Sequence, residues 1–162
     1  MGESVVADAG PLIAFGRIQR LELLPPVLGE VLVPHAVAVE CLADPEKPGA
    51  RAICDAFQAQ LLTETPDPVP ALPPLPLLDA GESAAIRLAL KLSASVLMDE
   101  KAGRKIATNL GLSVIGSAGV LLAAKTRGLI ESVRPMLDTL AANGYHFSDA
   151  LVRAILMRAG ER

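Results

Sequence analysis

The sequence predicts an open α/β fold with a central parallel sheet of about four or five strands flanked by helices, and three observations carry that expectation. Short apolar runs alternate along the chain with longer stretches of helical periodicity, the order that winds a parallel sheet between helices. Hydrophobic residues make up 51% of the sequence and aromatics only 2%, so the core must be aliphatic, as suits strands buried on both faces. Four acids far apart in sequence, Asp8, Glu40, Glu82 and Asp99, each fall at or beside a junction between an apolar strand and a helix. In such a sheet the carboxyl ends of the strands face one crevice, where acids at those junctions can converge.

The elements follow in order. Ser4 to Ala7 is a short β-branched and apolar run ending at Asp8, and Pro11 follows where a first helical turn tolerates its missing N–H. Leu12, Ile13, Phe15, Ile18, Leu21 and Leu24 then form a helical stripe, which Pro25 and Pro26 are expected to stop. Glu30 to Val33 reads as a second strand, and Pro34 opens a helix carrying Glu40 on its second turn. After a turn-rich break at Asp44 to Pro48, Ala50 to Leu62 reads as a helix. Prolines 66, 68, 70, 73, 74 and 76 leave no regular helix or central strand between Thr65 and Pro76. Ala80 to Leu92 is a helix, and Ser95 to Met98 a strand. A helix from about Lys101 to Leu110 stops at Gly111, Ser113 to Ile115 is the last strand, and a helix from Ser117 to Arg127 stops at Gly128. Two helices close the chain, at about 132–143 and 148–158, separated by AANGYHFSDA with its Gly stop and Ser cap.

At 162 residues the length suits one domain spanning 1–162, C-terminal helices included, with little room for a second. The apolar runs fall short of the ~20 residues that a membrane span needs, and MGESVV offers no basic region of the kind a secretory signal carries. A cytoplasmic location is expected. Cys41 and Cys54 lack metal-ligand spacing and read as free thiols, while His35 and His146 form no motif. The formal charge of −3 disfavours a nucleic-acid partner at first reading, but setting the four junction acids aside as metal ligands turns it to +1. Arg17, Arg20, Lys101, Arg104 and Lys105 then lie close in sequence to the strand ends and could form a basic rim. Scarce aromatics argue against a base-stacking platform.

The segments VVADAGPLIAFGRI, VPHAVAVEC, LDAGESAAIRLAL and VLMDEKAGRKIA resemble the PIN-domain family of metal-dependent nucleases, in particular its VapC-like toxin and toxin-related members, from about Val5 to the C-terminus. The resemblance implies a three-layer fold and assigns Asp8 and Asp99 as primary metal ligands. Glu40, in the motif PxxVxxE, and Glu82, in the GE-plus-helix motif, would position metal, water or a second ion. Three of the four acids also have an ordinary structural role open to them: Asp8 as a helix N-cap, Glu40 as an exposed helical Glu, and Glu82 as the partner of Asp79 in a capping box. Glu100 is an accessory candidate. Arg104 is a candidate for holding phosphate, with a solvated ion pair as its ordinary role. Ser117 stands where the family places a hydroxyl near the metal waters, and would otherwise cap the next helix. Many relatives carry a hydroxyl residue in place of Gly10.

Hard carboxylate oxygens select Mg²⁺ or Mn²⁺, and the chemistry expected is metal-assisted hydrolysis of a phosphodiester. The resemblance points to RNA as substrate, to a homodimer, and to restraint by a small antitoxin, with Leu12, Phe15, Leu137 and Leu140 as contributors to partner surfaces. A different class of function is a catalytically inactive PIN-like binding or regulatory protein. A phosphatase or phosphoacceptor domain ranks lower, because Asp8 lacks a DxD arrangement.

Overall fold

A computed structural model describes residues 3–69 and 73–162, so residues 1–2 and 70–72 of the expected domain lie outside the described residues. Five parallel strands, β1 (Ser4–Ala7), β2 (Glu30–Pro34), β3 (Thr63–Thr65), β4 (Ser95–Leu97) and β5 (Val114–Ile115), form one sheet in the order β3-β2-β1-β4-β5. The first strand in sequence is therefore the middle strand in space. It pairs with β2 through Val5↔Val31 and with β4 through Val6↔Val96, and Val5, Val6 and Ala7 are buried as a strand covered on both faces requires.

The helices among the described residues are α1 (Ala9–Arg17), α2 (Leu24–Leu28), α3 (His35–Leu42), α4 (Ala50–Gln58), α5 (Ala80–Leu92), α6 (Lys101–Asn109), α7 (Ser117–Thr126), α8 (Arg134–Ala142) and α9 (Asp149–Arg158). Helices α1, α3 and α7 each begin within two residues of a strand end, and α6 begins four residues after β4. Their N-termini, with N–H groups left unsatisfied by the helix itself, thus lie along the carboxyl edge of the sheet.

Three expectations need correction. Pro25 and Pro26 open α2 instead of stopping a helix, because the first turn needs no N–H from them; the break comes earlier, where Gln19 takes a left-handed φ of 55°. The helix predicted to run to Leu62 ends at Gln58, where Gln60 turns left-handed (φ 63°) and releases the chain into edge strand β3. Its sequence, TET, gives no apolar signal, since Thr63 and Glu64 are exposed. Leu12, Phe15 and Leu140 are 0% exposed and Leu137 5%, so these four belong to the core and cannot form a partner surface. Among its described residues the segment before α5 is irregular as expected, apart from Thr65 joining β3; residues 70–72 of it lie outside the described residues. It is tied down where Leu75 N–H donates to Ser83 Oγ (2.8 Å) and Arg87 Nη1 to the Pro73 carbonyl (2.7 Å).

Helix α4 packs against α1 at two glycines. A Cβ on Gly16 would stand 3.0 Å from the Gly49 carbonyl oxygen, and one on Gly49 would stand 3.1 Å from the Arg17 nitrogen. Gly49 also has φ +90°, a left-handed conformation that suits glycine. Gly49→Ala should destabilise the protein by about 1–3 kcal/mol, measured by urea unfolding, while Gly111→Ala, a left-handed glycine with nothing within 4 Å of its Cβ position, should cost less.

Candidate active site

Strand β1 delivers Asp8 to the carboxyl edge, where its N–H donates to the Leu97 carbonyl (2.9 Å) and ties it to the end of β4. Asp8 occupies the N-cap position of α1, yet its side chain makes no cap hydrogen bond and the residue is only 5% exposed. Burial raises its pKa to about 7. The Ala9 N–H opposes that rise, and the neighbouring charges of Glu82, Glu40 and Asp79 add to it. The ordinary capping role therefore does not account for Asp8.

Glu40, exposed on α3, leans over the start of α5: its Oε1 lies 3.1 Å from where a Cβ on residue 81 would stand. Gly81 is thus what lets this carboxylate reach the first turn of the helix. Partial burial and the charge of Asp79 raise the Glu40 pKa. Glu82 does take part in the capping box: Asp79 Oδ1 accepts its N–H (2.8 Å), and its Oε1 accepts the Asp79 N–H (3.0 Å). Burial is the main cause of a raised Glu82 pKa. Glu100 is the N-cap of α6, accepting from Ala102 (3.1 Å) and Gly103 (2.6 Å) N–H groups, and these bonds lower its pKa. Its two oxygens are committed to the helix.

Asp99 follows β4 and is held from the next strand end. Its Oδ1 accepts the Ser117 N–H (2.7 Å), and its Oδ2 accepts Ser117 Oγ–H (2.6 Å) and the Tyr145 hydroxyl. Ser117 is the first residue of α7 and fully buried; Gly116 is the N-cap, so Ser117 caps nothing and stands behind Asp99, away from open solvent. Among the described residues Arg104 makes no ion pair. Its Nη1 donates to the Met98 carbonyl (2.7 Å) and lies 2.7 Å from where a Cβ on Gly116 would be, so glycine at 116 makes room for it. Arg104 and Asp99 line one end of a cleft of about 550 Å³ between β5, α7 and α9, with Phe147 and Arg158 among its other walls. A hollow of about 610 Å³ between α4 and β3 touches none of the four junction acids. Of the expected basic rim, Arg17 Nη1 donates to the Asn143 carbonyl and Arg20 pairs with Glu22.

The acids thus form two groups. Asp8, Glu40 and Glu82, with Asp79, sense one another's charge, whereas Asp99 is bound up with Ser117 and Tyr145. Tyr145 escaped sequence reasoning. Its only signal was being the single tyrosine of the chain, in a loop between two helices.

Among the described residues no three His, Cys, Asp or Glu are gathered as a ready-made cage. The donor set still fits Mg²⁺ or Mn²⁺, because such ions keep several waters and need only one or two carboxylates. Asp8 supplies the decisive fit: a buried, uncapped carboxylate among like charges is a position short of positive charge.

A parallel α/β domain with acids of this kind at its strand ends belongs to the class of domains suited to a hard divalent cation. The chain is a member of the PIN-domain family, whose profile matches residues 4–161. Its fold is similar to two archaeal solved structures. One is a PilT N-terminus domain protein from Sulfolobus solfataricus, with TM-score 0.46, 18% identity, and 90% of this chain and 97% of that one covered. The other is a domain of a functionally unknown protein from Methanocaldococcus jannaschii, with TM-score 0.46, 12% identity, and 71% and 91% covered. No curated protein matches the chain. Among the described residues no helix is long and apolar enough to cross a membrane.

Because the native pKa of Asp8 lies above the ~3.9 of an unfolded aspartate, the folded state holds more protons than the unfolded state between about pH 4 and 7. The metal-free protein should therefore lose stability as pH rises through that window, by an amount on the order of a few kcal/mol. Asp8→Asn should flatten this slope and leave the apo protein as stable as wild type or more so at pH 8, read from melting curves in a chelating buffer.

Proposed function

We propose that the protein is a metal-dependent endoribonuclease that hydrolyses RNA phosphodiester bonds, of the toxin or toxin-related kind. The observation that carries this reading is the buried, uncapped Asp8 at the end of the middle strand, facing Glu40 and Glu82. Family membership supports it, and the choice of RNA rests on the resemblance of the four acidic segments to VapC-like proteins. Asp8 and Asp99 are the proposed ligands of Mg²⁺ or Mn²⁺, with Glu40 and Glu82 beside them. When bound, the cation supplies charge neutralisation at the scissile phosphate and makes water a better nucleophile.

The remaining work falls to the chain's own residues. Glu40 meets solvent and has a raised pKa, so it is a stronger base than an ordinary carboxylate and suited to accept a proton from the attacking water. Arg104, pinned at Met98 and lining the cleft beside Asp99, presents a guanidinium to a phosphate oxygen of the substrate. Ser117 keeps the Asp99 carboxylate in one orientation.

A second reading, a noncatalytic PIN-like binding protein, is favoured by the absence of a three-acid cage among the described residues. Asp99→Asn separates the two. The substitution keeps size, and both hydroxyls facing it can reverse their hydrogen-bond direction. Mg²⁺- or Mn²⁺-dependent cleavage of a single-stranded RNA should fall by orders of magnitude, with an unchanged circular-dichroism spectrum. Wild-type protein that binds this RNA without cutting it, in a contaminant-free preparation, would establish the second reading instead.

The proposed partners are a second copy of the chain and a small antitoxin. With the four expected leucine and phenylalanine contacts buried, the apolar residues left exposed include Val39 on α3 and Leu151 and Met157 on α9. Light scattering coupled to size exclusion should give twice the monomer mass. A mass of one chain at high micromolar concentration would remove the dimer from the proposal.

A further inference from the structure

We propose that Tyr145 is a positioning residue of the acidic centre, one that holds the Asp99 carboxylate so that a single lone-pair direction remains for a cation. The inference rests on the reading that Asp99 is a metal ligand. An ionised carboxylate has about four lone-pair sites. At Asp99, Oδ1 accepts the Ser117 N–H at 2.7 Å, and Oδ2 accepts both Ser117 Oγ–H at 2.6 Å and the Tyr145 hydroxyl. Three directions are filled, and the one left open is on Oδ1.

Ser117 alone would leave Oδ2 a free lone pair and a second way to bind. Tyr145 closes it, using an element far away in sequence. The tyrosine is itself fixed: its N–H donates to the Leu140 carbonyl (2.9 Å), Gly144 N–H to the Ala141 carbonyl (3.1 Å), and Arg17 Nη1 to the Asn143 carbonyl (3.0 Å). Its ring meets Phe147 edge-on, with centroids 5.7 Å apart. A chain with three phenylalanines, one tyrosine and no tryptophan thus places two of its few aromatics in this loop. The hydroxyl lies close to the start of α1, where a Cβ at Gly10 would be in ordinary van der Waals contact with the Tyr145 oxygen, at 3.6 Å. The hydroxyl also senses the charges of both Asp99 and Asp8, which places it near both proposed ligands.

A plain latch, tying the α8–α9 loop to the sheet, would make the same hydrogen bond, so the test must read metal binding apart from folding. Tyr145→Phe keeps the ring and its contact with Phe147 and removes only the hydroxyl. Calorimetric titration of the full chain with Mn²⁺ should show affinity about 10–100-fold weaker than wild type, the range lost when a group supporting a ligand is removed. The melting-temperature rise on adding Mn²⁺ should shrink with it, and the apo melting temperature should change little. A lowered apo melting temperature with unchanged Mn²⁺ affinity would make Tyr145 a latch and overturn the proposal. Asp99→Asn serves as the reference. If Mn²⁺ binding is lost in Asp99→Asn yet intact in Tyr145→Phe, the positioning role alone fails; if Asp99→Asn binds Mn²⁺ as wild type does, the metal-ligand reading fails and the positioning role goes with it.

Discussion

Burial of Asp8 without a hydrogen-bonded cap is the constraint around which the rest of the molecule is arranged. A carboxylate so placed loses hydration and gains no cap bond in return, and the nearby Glu40, Glu82 and Asp79 charges deepen the deficit. Such a position persists only if other parts of the fold are strong. The aliphatic strands on both sides of β1 supply that strength, as do the glycine-to-backbone contact of α1 with α4 and the regular helix starts.

Two compensations are visible at the same edge. Helices α1, α3, α6 and α7 start there, so the partial positive charge of several helix N-termini faces the acids. Other acids are diverted into structural service: Asp79 closes the start of α5, and Glu100 the start of α6. The edge is therefore graded. Glu100 is committed to backbone, Glu82 is shared between backbone and crevice, and Asp8 closes no helix cap and meets only the Ala9 N–H.

Much of this was legible from residue order alone. Strand-end acids and alternating strand and helix signals fixed the sheet, because those patterns are local and repeated; α5 came out with its boundaries intact because its cap, Asp79-x-x-Glu82, is written in neighbouring residues. What stayed hidden depends on contacts across the fold. Strand β3 is polar and exists because β2 offers it an edge. Gly81 is simply an early residue of a predicted helix until Glu40 is seen lying against it, and Gly116 a residue before a helix until Arg104 is. Leu12 and Phe15 share a stripe that periodicity identifies as apolar, but periodicity does not say whether the neighbour is the same chain or another. Tyr145 lies 46 residues from Asp99, and no spacing rule links them.

That separation has a consequence for the order in which the centre comes into being. Synthesis delivers Asp8, Glu40, Glu82 and Asp99 in turn, then Ser117, and Tyr145 only after α8. A nascent chain halted between Ser117 and Tyr145 would carry every acid of the crevice and a carboxylate at 99 with a lone pair still free on Oδ2. The last contact to Asp99 arrives with a loop that contains none of the acids, so assembly of the acids and the final fixing of Asp99 are separate events in time.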